Sequence, residues 1–207
     1  MFHTFYKNTE PLNARGLTQR HGDRYLVQNR PAEYLTQGEM DAVYALPYQR
    51  AQHPFYESQG KARALETIRF SINTQHGCYG ECNFCSIAVH EGRTVRWRSE
   101  ASVVAEAKLI AKLSDFKGYI LDVGGPTANM YGFECPIKLK EGACQDKRCI
   151  YPVICAALKP THARQTALLK RLRKIPGVKK VFVSSGIRYD LVVADERNGD
   201  AYLKEIT

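Results

Sequence analysis

The chain has 207 residues, a net charge of +9 and a hydrophobic fraction of 44%. That length suits one domain, or one domain with a long leader, and the apolar fraction is ordinary for a globular protein. No apolar run approaches the roughly 20 residues needed to span a bilayer, which argues against membrane insertion. Residues 1–66 are polar and turn-rich and are predicted to form an irregular N-terminal leader or linker. Within it, Asn8–Asn13 and Asn29–Ala32 look like loops, and Glu39–Leu46 carries a weak helical pattern ended by Pro47.

Residues 67–207 show sharper patterning. Ile68, Phe70 and Ile72 alternate with Arg69 and Ser71, which predicts a first strand. A cysteine-rich loop follows. Ser99 then caps a helix, with Glu100 in its first turn and Val103, Ala107 and Ile110 on one face. Tyr119–Val123 predicts a second strand, ending in Gly124-Gly125-Pro126. A connection of about 35 residues comes next, long enough to suggest function. A helix carrying Leu168, Leu169 and Leu172 stops at Pro176-Gly177. Val178–Ser184 predicts the third strand, and Ala201–Ile206 the start of a last helix. This alternation predicts an α/β fold of about three βα units, with parallel strands and right-handed crossovers. In such folds the working loops lie beyond the carboxyl ends of the strands. The cysteine loop, the Gly124-Gly125 turn and Ser184-Ser185-Gly186 should therefore share one rim.

Cys78, Cys82 and Cys85 have C-x3-C-x2-C spacing. Three thiolates this close can hold three corners of a cubane iron–sulfur cluster and leave the fourth iron open. Clusters that only carry electrons are usually held by four cysteines, so the spacing points to chemistry at the cluster. Structural zinc is the alternative, but it favours paired C-x2-C units, and His76 is poorly spaced to complete one. A disulfide fits an odd trio badly. The start of the chain also lacks a signal peptide's apolar core, which predicts a reducing, cytoplasmic setting.

A second group, Cys135, Cys144, Cys149 and Cys155, matches no zinc-finger spacing. It could hold an auxiliary cluster or zinc; ordinary thiols are the alternative. Arg171, Arg173, Lys174, Lys179 and Lys180 cluster near one helix and turn. No nucleic-acid motif accompanies them, so a solvated basic face is favoured over nucleic-acid binding. His90 and His162 are expected to be structural or exposed.

Phe84 stands just before the last cysteine of the trio, and the sequence there resembles the signature of the radical SAM superfamily. Cys82–Arg93, Asp122–Tyr131 and Ser184–Asp190 are similar to the YgiQ-like branch of that superfamily. The resemblance implies the first half of a partial parallel (β/α) barrel of the radical SAM type, in a fragment of a longer protein. It also implies a [4Fe–4S] cluster on Cys78, Cys82 and Cys85, with S-adenosyl-L-methionine chelating the open iron. Reductive cleavage would then give methionine and a 5′-deoxyadenosyl radical, with the cofactor supplying the hard chemistry. By the same resemblance Phe84 would help seat the adenine, with ordinary packing as the alternative. The backbone of Gly124 and Gly125 would meet the methionyl amino group, with a plain turn as the alternative. Arg188 would pair with the cofactor carboxylate, although a surface arginine fits the sequence as well. Pro126 stands where many relatives carry glutamate. An electron donor such as a flavodoxin or ferredoxin is implied, no membrane partner is, and the substrate is not identified. The competing readings are an RNA-modifying radical SAM enzyme and a non-enzymatic iron–sulfur or zinc protein.

Overall fold

The computed structural model describes residues 2–207, a mixed α/β arrangement of short strands and helices. The N-terminal segment is more ordered than its composition predicts. It holds a helix α1 (Phe2–Lys7), an antiparallel hairpin of β1 (Leu17–His21) and β2 (Arg24–Gln28), and a helix α2 (Gln37–Tyr44). The hairpin turns at Gly22, whose φ of 61° suits glycine. A capping box starts α2: Thr36 accepts from the Glu39 amide, and the Glu39 carboxylate reaches back to the Thr36 N–H. A 3₁₀ turn (Pro54–Gln59) and a helix α3 (Arg63–Ile68) lead into the α/β region. Ile68, expected in the first strand, instead ends α3 and faces solvent.

The first strand of the α/β region is β3 (Ser71–Asn73), followed by β4 (Gln75–His76). Next come a short helix α4 (Ile87–His90), β5 (Arg96–Trp97) and the long helix α5 (Glu100–Ile110). β4 and β5 pair antiparallel and tie the cysteine loop at its base. Beyond α5 lie β6 (Tyr119–Ile120), β7 (Asp122–Gly124), α6 (Pro136–Glu141), α7 (Ala163–Leu172), β8 (Lys180–Val181), α8 (Tyr189–Ala194) and α9 (Gly199–Ile206).

β3 pairs parallel with β7, and β6 pairs parallel with β8. These ladders share one middle strand, because β6 and β7 are separated only by Leu121. The Leu121 N–H reaches the Phe70 carbonyl at 3.0 Å, and the Val123 N–H reaches the Phe182 carbonyl at 3.0 Å. The result is an open parallel sheet with the middle strand between β3 and β8. Helices α5 and α7 make the two connections. No closed barrel forms among the described residues.

The core lies between this sheet and its helices. Ile72, Ile120, Val123 and Val181 from the strands meet Val103, Ala107 and Ile110 of α5 and Leu168, Leu169 and Leu172 of α7. Tyr202 of α9 is buried in the same cluster. Ser99 caps α5 as its sequence predicts, accepting from the Ser102 amide at 3.1 Å. The N-terminal segment packs onto this unit through charge. Arg98 is fully buried, donates to the Asn73 carbonyl at 2.8 Å and pairs with Glu106 at 2.5 Å. Arg50 pairs with the same Glu106, and the Arg98 guanidinium lies 3.9 Å from the Tyr44 ring centroid. Burial pushes the Arg98 guanidinium down to about 10. No helix among the described residues is long and apolar enough to cross a membrane.

Candidate functional site

The cysteine loop is pinned where it leaves β4. Gly77 has φ 81°, and a Cβ there would fall 2.5 Å from the Thr94 carbonyl oxygen, so only glycine fits. The Gly77 N–H reaches Glu91 Oε2 at 3.1 Å, and the Cys78 N–H reaches the Gly92 carbonyl at 3.1 Å. Between the first two cysteines, Glu81 adopts φ 47°. Its Oε2 lies 2.9 Å from Arg93 Nε, and the two side chains are 2% and 3% exposed. Contact is close as an ion pair but misaligned as a hydrogen bond, since Arg93 Nε has no hydrogen-bond partner. Tyr6 of α1 donates to the same Glu81 oxygen, and its ring lies 5.1 Å from the Arg93 guanidinium carbon. Burial, then the bond to Glu81, raises the Tyr6 hydroxyl above its ordinary value.

The sulfurs lie where the strand-end loops meet. Cys78 is buried; its Sγ accepts from the Gly80 N–H at 3.3 Å and lies 3.4 Å from Thr127 Oγ1. Cys82 is half-buried and its Sγ accepts from Arg188 Nη1 at 3.4 Å. Cys85, also half-buried, has its Sγ 3.5 Å from the Ile87 N–H. Gly80 leaves the space between two of these sulfurs open. A Cβ there would lie 3.2 Å from Cys78 Sγ, 3.4 Å from Cys82 Sγ and 3.6 Å from Arg188 Nη1. Among the described residues, no group of three or more Cys, His, Asp or Glu side chains is arranged to hold a single metal ion.

The three loops expected to share a rim do touch. Asp122 Oδ1 accepts from the Ser184 N–H at 2.8 Å and the Ser185 N–H at 3.2 Å, and its Oδ2 accepts from the Ser185 hydroxyl. The Ala128 N–H reaches the Gly186 carbonyl at 2.9 Å. Asn129 clamps the backbone of Arg188: its Oδ1 accepts from the N–H at 2.8 Å and its Nδ2 donates to the carbonyl at 2.9 Å. Asn129 Nδ2 also lies 3.0 Å from His162 Nε2, while His162 Nδ1 lies 3.0 Å from Asp195 Oδ2. With the carboxylate accepting at Nδ1–H, Nε2 is left as the acceptor for the Asn129 amide. Burial lowers the His162 imidazole below its ordinary value despite Asp195, which favours this neutral tautomer. Burial works to raise the Asp195 carboxyl, but bonds from His162 and Asn198 outweigh it and leave the group lowered.

The residues singled out from sequence fall unevenly around this rim. Phe84 is 92% exposed beside the cysteines, so packing of the loop does not account for it. Gly124 faces Ser185, with a would-be Cβ 3.1 Å from its Oγ, and Gly125 faces Gln75, with a would-be Cβ 2.7 Å from its carbonyl oxygen. Close packing of the protein on itself thus already requires Gly125. Arg188 is not a loose surface arginine. Its fork grips Asp190, with Nε 3.0 Å from Oδ1, while Nη1 reaches Cys82. The bond to Asp190 raises the guanidinium, and the bond from Arg188 lowers the Asp190 carboxyl. Sequence reasoning missed Glu81, Asp122, Thr127 and Asn129. Their only signal is position, inside or beside the motifs already chosen.

Cys135, Cys144, Cys149 and Cys155 all line one small pocket, together with Lys138, Arg148 and Leu158. Cys135 and Cys149 are buried and the other two half-buried. Burial pushes the Cys149 thiol up, and the neighbouring Lys138 pulls it back. Arg93 Nη2 donates to the Cys144 carbonyl at 2.7 Å, so this segment also touches the cysteine-loop ion pair.

The Radical SAM N-terminal family matches residues 1–71. Over 205 residues the chain is 54% identical to a UPF0313 protein of Fusobacterium nucleatum, covering 99% of this chain and 36% of that protein. UPF0313 proteins of Clostridium perfringens and Clostridium botulinum are 48% and 45% identical over 97% of this chain, which covers 30% and 31% of them. The chain is thus similar to the Radical SAM N-terminal family over its first 71 residues and to UPF0313 proteins over nearly all of its length, and it spans about a third of the length of the curated relatives it matches. No solved structure matches.

Proposed function

We propose that this chain carries the cluster-binding half of a radical SAM enzyme's core, residues 67–207, with residues 1–66 as an N-terminal buttress. In this proposal Cys78, Cys82 and Cys85 are the ligands of a [4Fe–4S] cluster that leaves one iron open for S-adenosyl-L-methionine. The observation that carries it is the pair of sulfurs, Cys78 and Cys82, flanking the open face of Gly80 at the strand ends. Three soft thiolate donors suit iron–sulfur ligation. A cubane places each thiolate on a different iron, so the trio need not converge on one point.

Bound there, the cluster and S-adenosyl-L-methionine would supply reductive cleavage of the sulfonium, the chemistry common to this superfamily. The chain's residues would hold and shield that site. Gly77 and the Glu81–Arg93 pair set the loop's path. Arg188, fixed by Asn129 and Asp190, brings positive charge to Cys82. Phe84 stands free beside Cys85 to lie against an aromatic group. The parallel β3–β7 and β6–β8 ladders would form the first strands of the barrel, and a flavodoxin- or ferredoxin-like protein would supply the electron.

Anaerobic reconstitution of the chain with iron and sulfide tests this. About four irons should bind per chain at this site, and replacing Cys78, Cys82 and Cys85 together by Ala should remove them. Added S-adenosyl-L-methionine and a reductant should release 5′-deoxyadenosine. Unchanged iron content in the triple variant would refute the assignment.

A further inference from the structure

We propose that Cys135, Cys144, Cys149 and Cys155 form a second metal centre, a tetrathiolate zinc site separate from the cysteine loop. Their spacing along the chain is irregular, yet the fold brings all four to one pocket. Four cysteine ligands in a tetrahedron are one of the closed structural zinc arrangements.

The charges around the pocket supply an independent reason. Lys138, Lys147 and Arg148 line it and no carboxylate does. Lys138 is only 1% exposed; among the described residues it makes no ion pair, and its Nζ lies 5.3 Å from the Tyr79 ring centroid. The same Nζ donates to the Arg93 carbonyl at 2.5 Å, and Lys138 lines the pocket beside Cys149. A buried lysine is rare without an anionic partner. Four thiolates around Zn²⁺ carry two net negative charges and supply that partner. The thiols give up their protons on binding, so zinc uptake releases protons.

The four sulfurs line the pocket without yet meeting in one coordination sphere. Between Cys135 and Cys155 the only regular element is the short helix α6, and beyond it the Cys155 N–H reaches the Cys149 carbonyl at 2.8 Å, which holds two of the four cysteines side by side. Closure would also stiffen the Cys144 carbonyl that holds Arg93, and through Arg93 the cysteine loop.

The test is elemental analysis of the chain purified with zinc and without chelator. About one zinc per chain should be present in the wild type and retained when Cys78, Cys82 and Cys85 are all Ala. The half-buried pair Cys144→Ser/Cys155→Ser should lose zinc while still taking up iron at the first site. Cobalt(II) should give the sulfur charge-transfer and tetrahedral bands of a thiolate site in the wild type, and these should vanish in the same double variant. Lys138→Met should weaken zinc binding by about 10- to 100-fold, as loss of an outer partner does at other metal sites. Thiols that titrate as free without zinc, a disulfide among these four, or iron and sulfide in place of zinc would each overturn the proposal. Failure of the first site would show differently, as loss of iron from the wild type with zinc intact.

Discussion

Glu81→Gln should destabilise the chain by about 3 kcal/mol, because it removes one charge from a buried pair and leaves the other. Glu81 and Arg93 are 2% and 3% exposed, so solvent offers the stranded guanidinium almost no relief. Breaking such a pair from one side typically costs about 3–5 kcal/mol. The lower end applies here. Arg93 keeps its bond to the Cys144 carbonyl at 2.7 Å and its contact with the Tyr6 ring, and the new amide can still accept from Tyr6. For a chain of this size the loss corresponds to a fall of roughly 6–12 °C in melting temperature. Urea unfolding followed by the fluorescence of Trp97, the single tryptophan, measures it. Removing both charges, as in Glu81→Gln/Arg93→Met, should recover most of the loss, since the unpaired charge is what costs. Glu81 also sets the loop between Cys78 and Cys82, so the single variant should take up less iron on reconstitution. A loss below about 1 kcal/mol, or a double variant as unstable as the sum of the singles, would refute the pairing argument.

Three further outcomes follow from the same geometry. Stability should fall as pH drops below about 6.5, because the unfolded chain takes a proton at His162 that the folded chain refuses, and it should fall further as Asp195 titrates below its ordinary value. His162→Asn should flatten the slope of unfolding free energy between about pH 7 and about pH 5.5, and an unchanged slope would count against it. Gly125→Ala should cost about 1–3 kcal/mol by overpacking, because its Cβ would fall 2.7 Å from the Gln75 carbonyl oxygen. Equal unfolding midpoints for wild type and variant would show that the turn has slack. Asn129→Leu should free the Arg188 backbone and lower affinity for S-adenosyl-L-methionine more than it lowers iron content, read by titration of the reconstituted chain; a loss of iron with affinity intact would assign Asn129 a structural role alone.

What the sequence disclosed follows burial. Helices α5 and α7 were legible because Val103, Ala107 and Ile110, and then Leu168, Leu169 and Leu172, all turn to one core. The strand at 119–124 was legible as an apolar run ending in two glycines. The β1–β2 hairpin was not, because Tyr25, Leu26 and Val27 are all more than half exposed and leave no inside–outside alternation. Only Gly22-Asp23 signalled its turn. Ile68 misled for the opposite reason. Its spacing from Phe70 and Ile72 matches a strand, but it closes α3 with its side chain in solvent, and the ladder starts at Ser71.

The site divides along the same line between local and distant contacts. Spacing alone picked out Cys78, Cys82 and Cys85, since ligands a few residues apart must share a neighbourhood. The groups that hold those cysteines in place are far apart in sequence. Tyr6 meets Glu81 across 75 positions, Asp122 meets Ser185 across 63, and Asn129 meets Arg188 across 59. No window of the chain contains both members of any of these pairs, so no pattern within a window could announce them. The same holds for the second cysteine group, whose irregular spacing concealed a common pocket. The N-terminal segment is part of this physics. Through Tyr6 on Glu81, Tyr44 at 2.7 Å from His76 Nε2, and Arg50 on Glu106, it adds further partners to groups of the cysteine loop and α5. The buried pairs Glu81–Arg93 and Glu106–Arg98 are further satisfied by Tyr6 and Arg50, as buried charges require. The segment that looked like a leader therefore helps to set the site's shape.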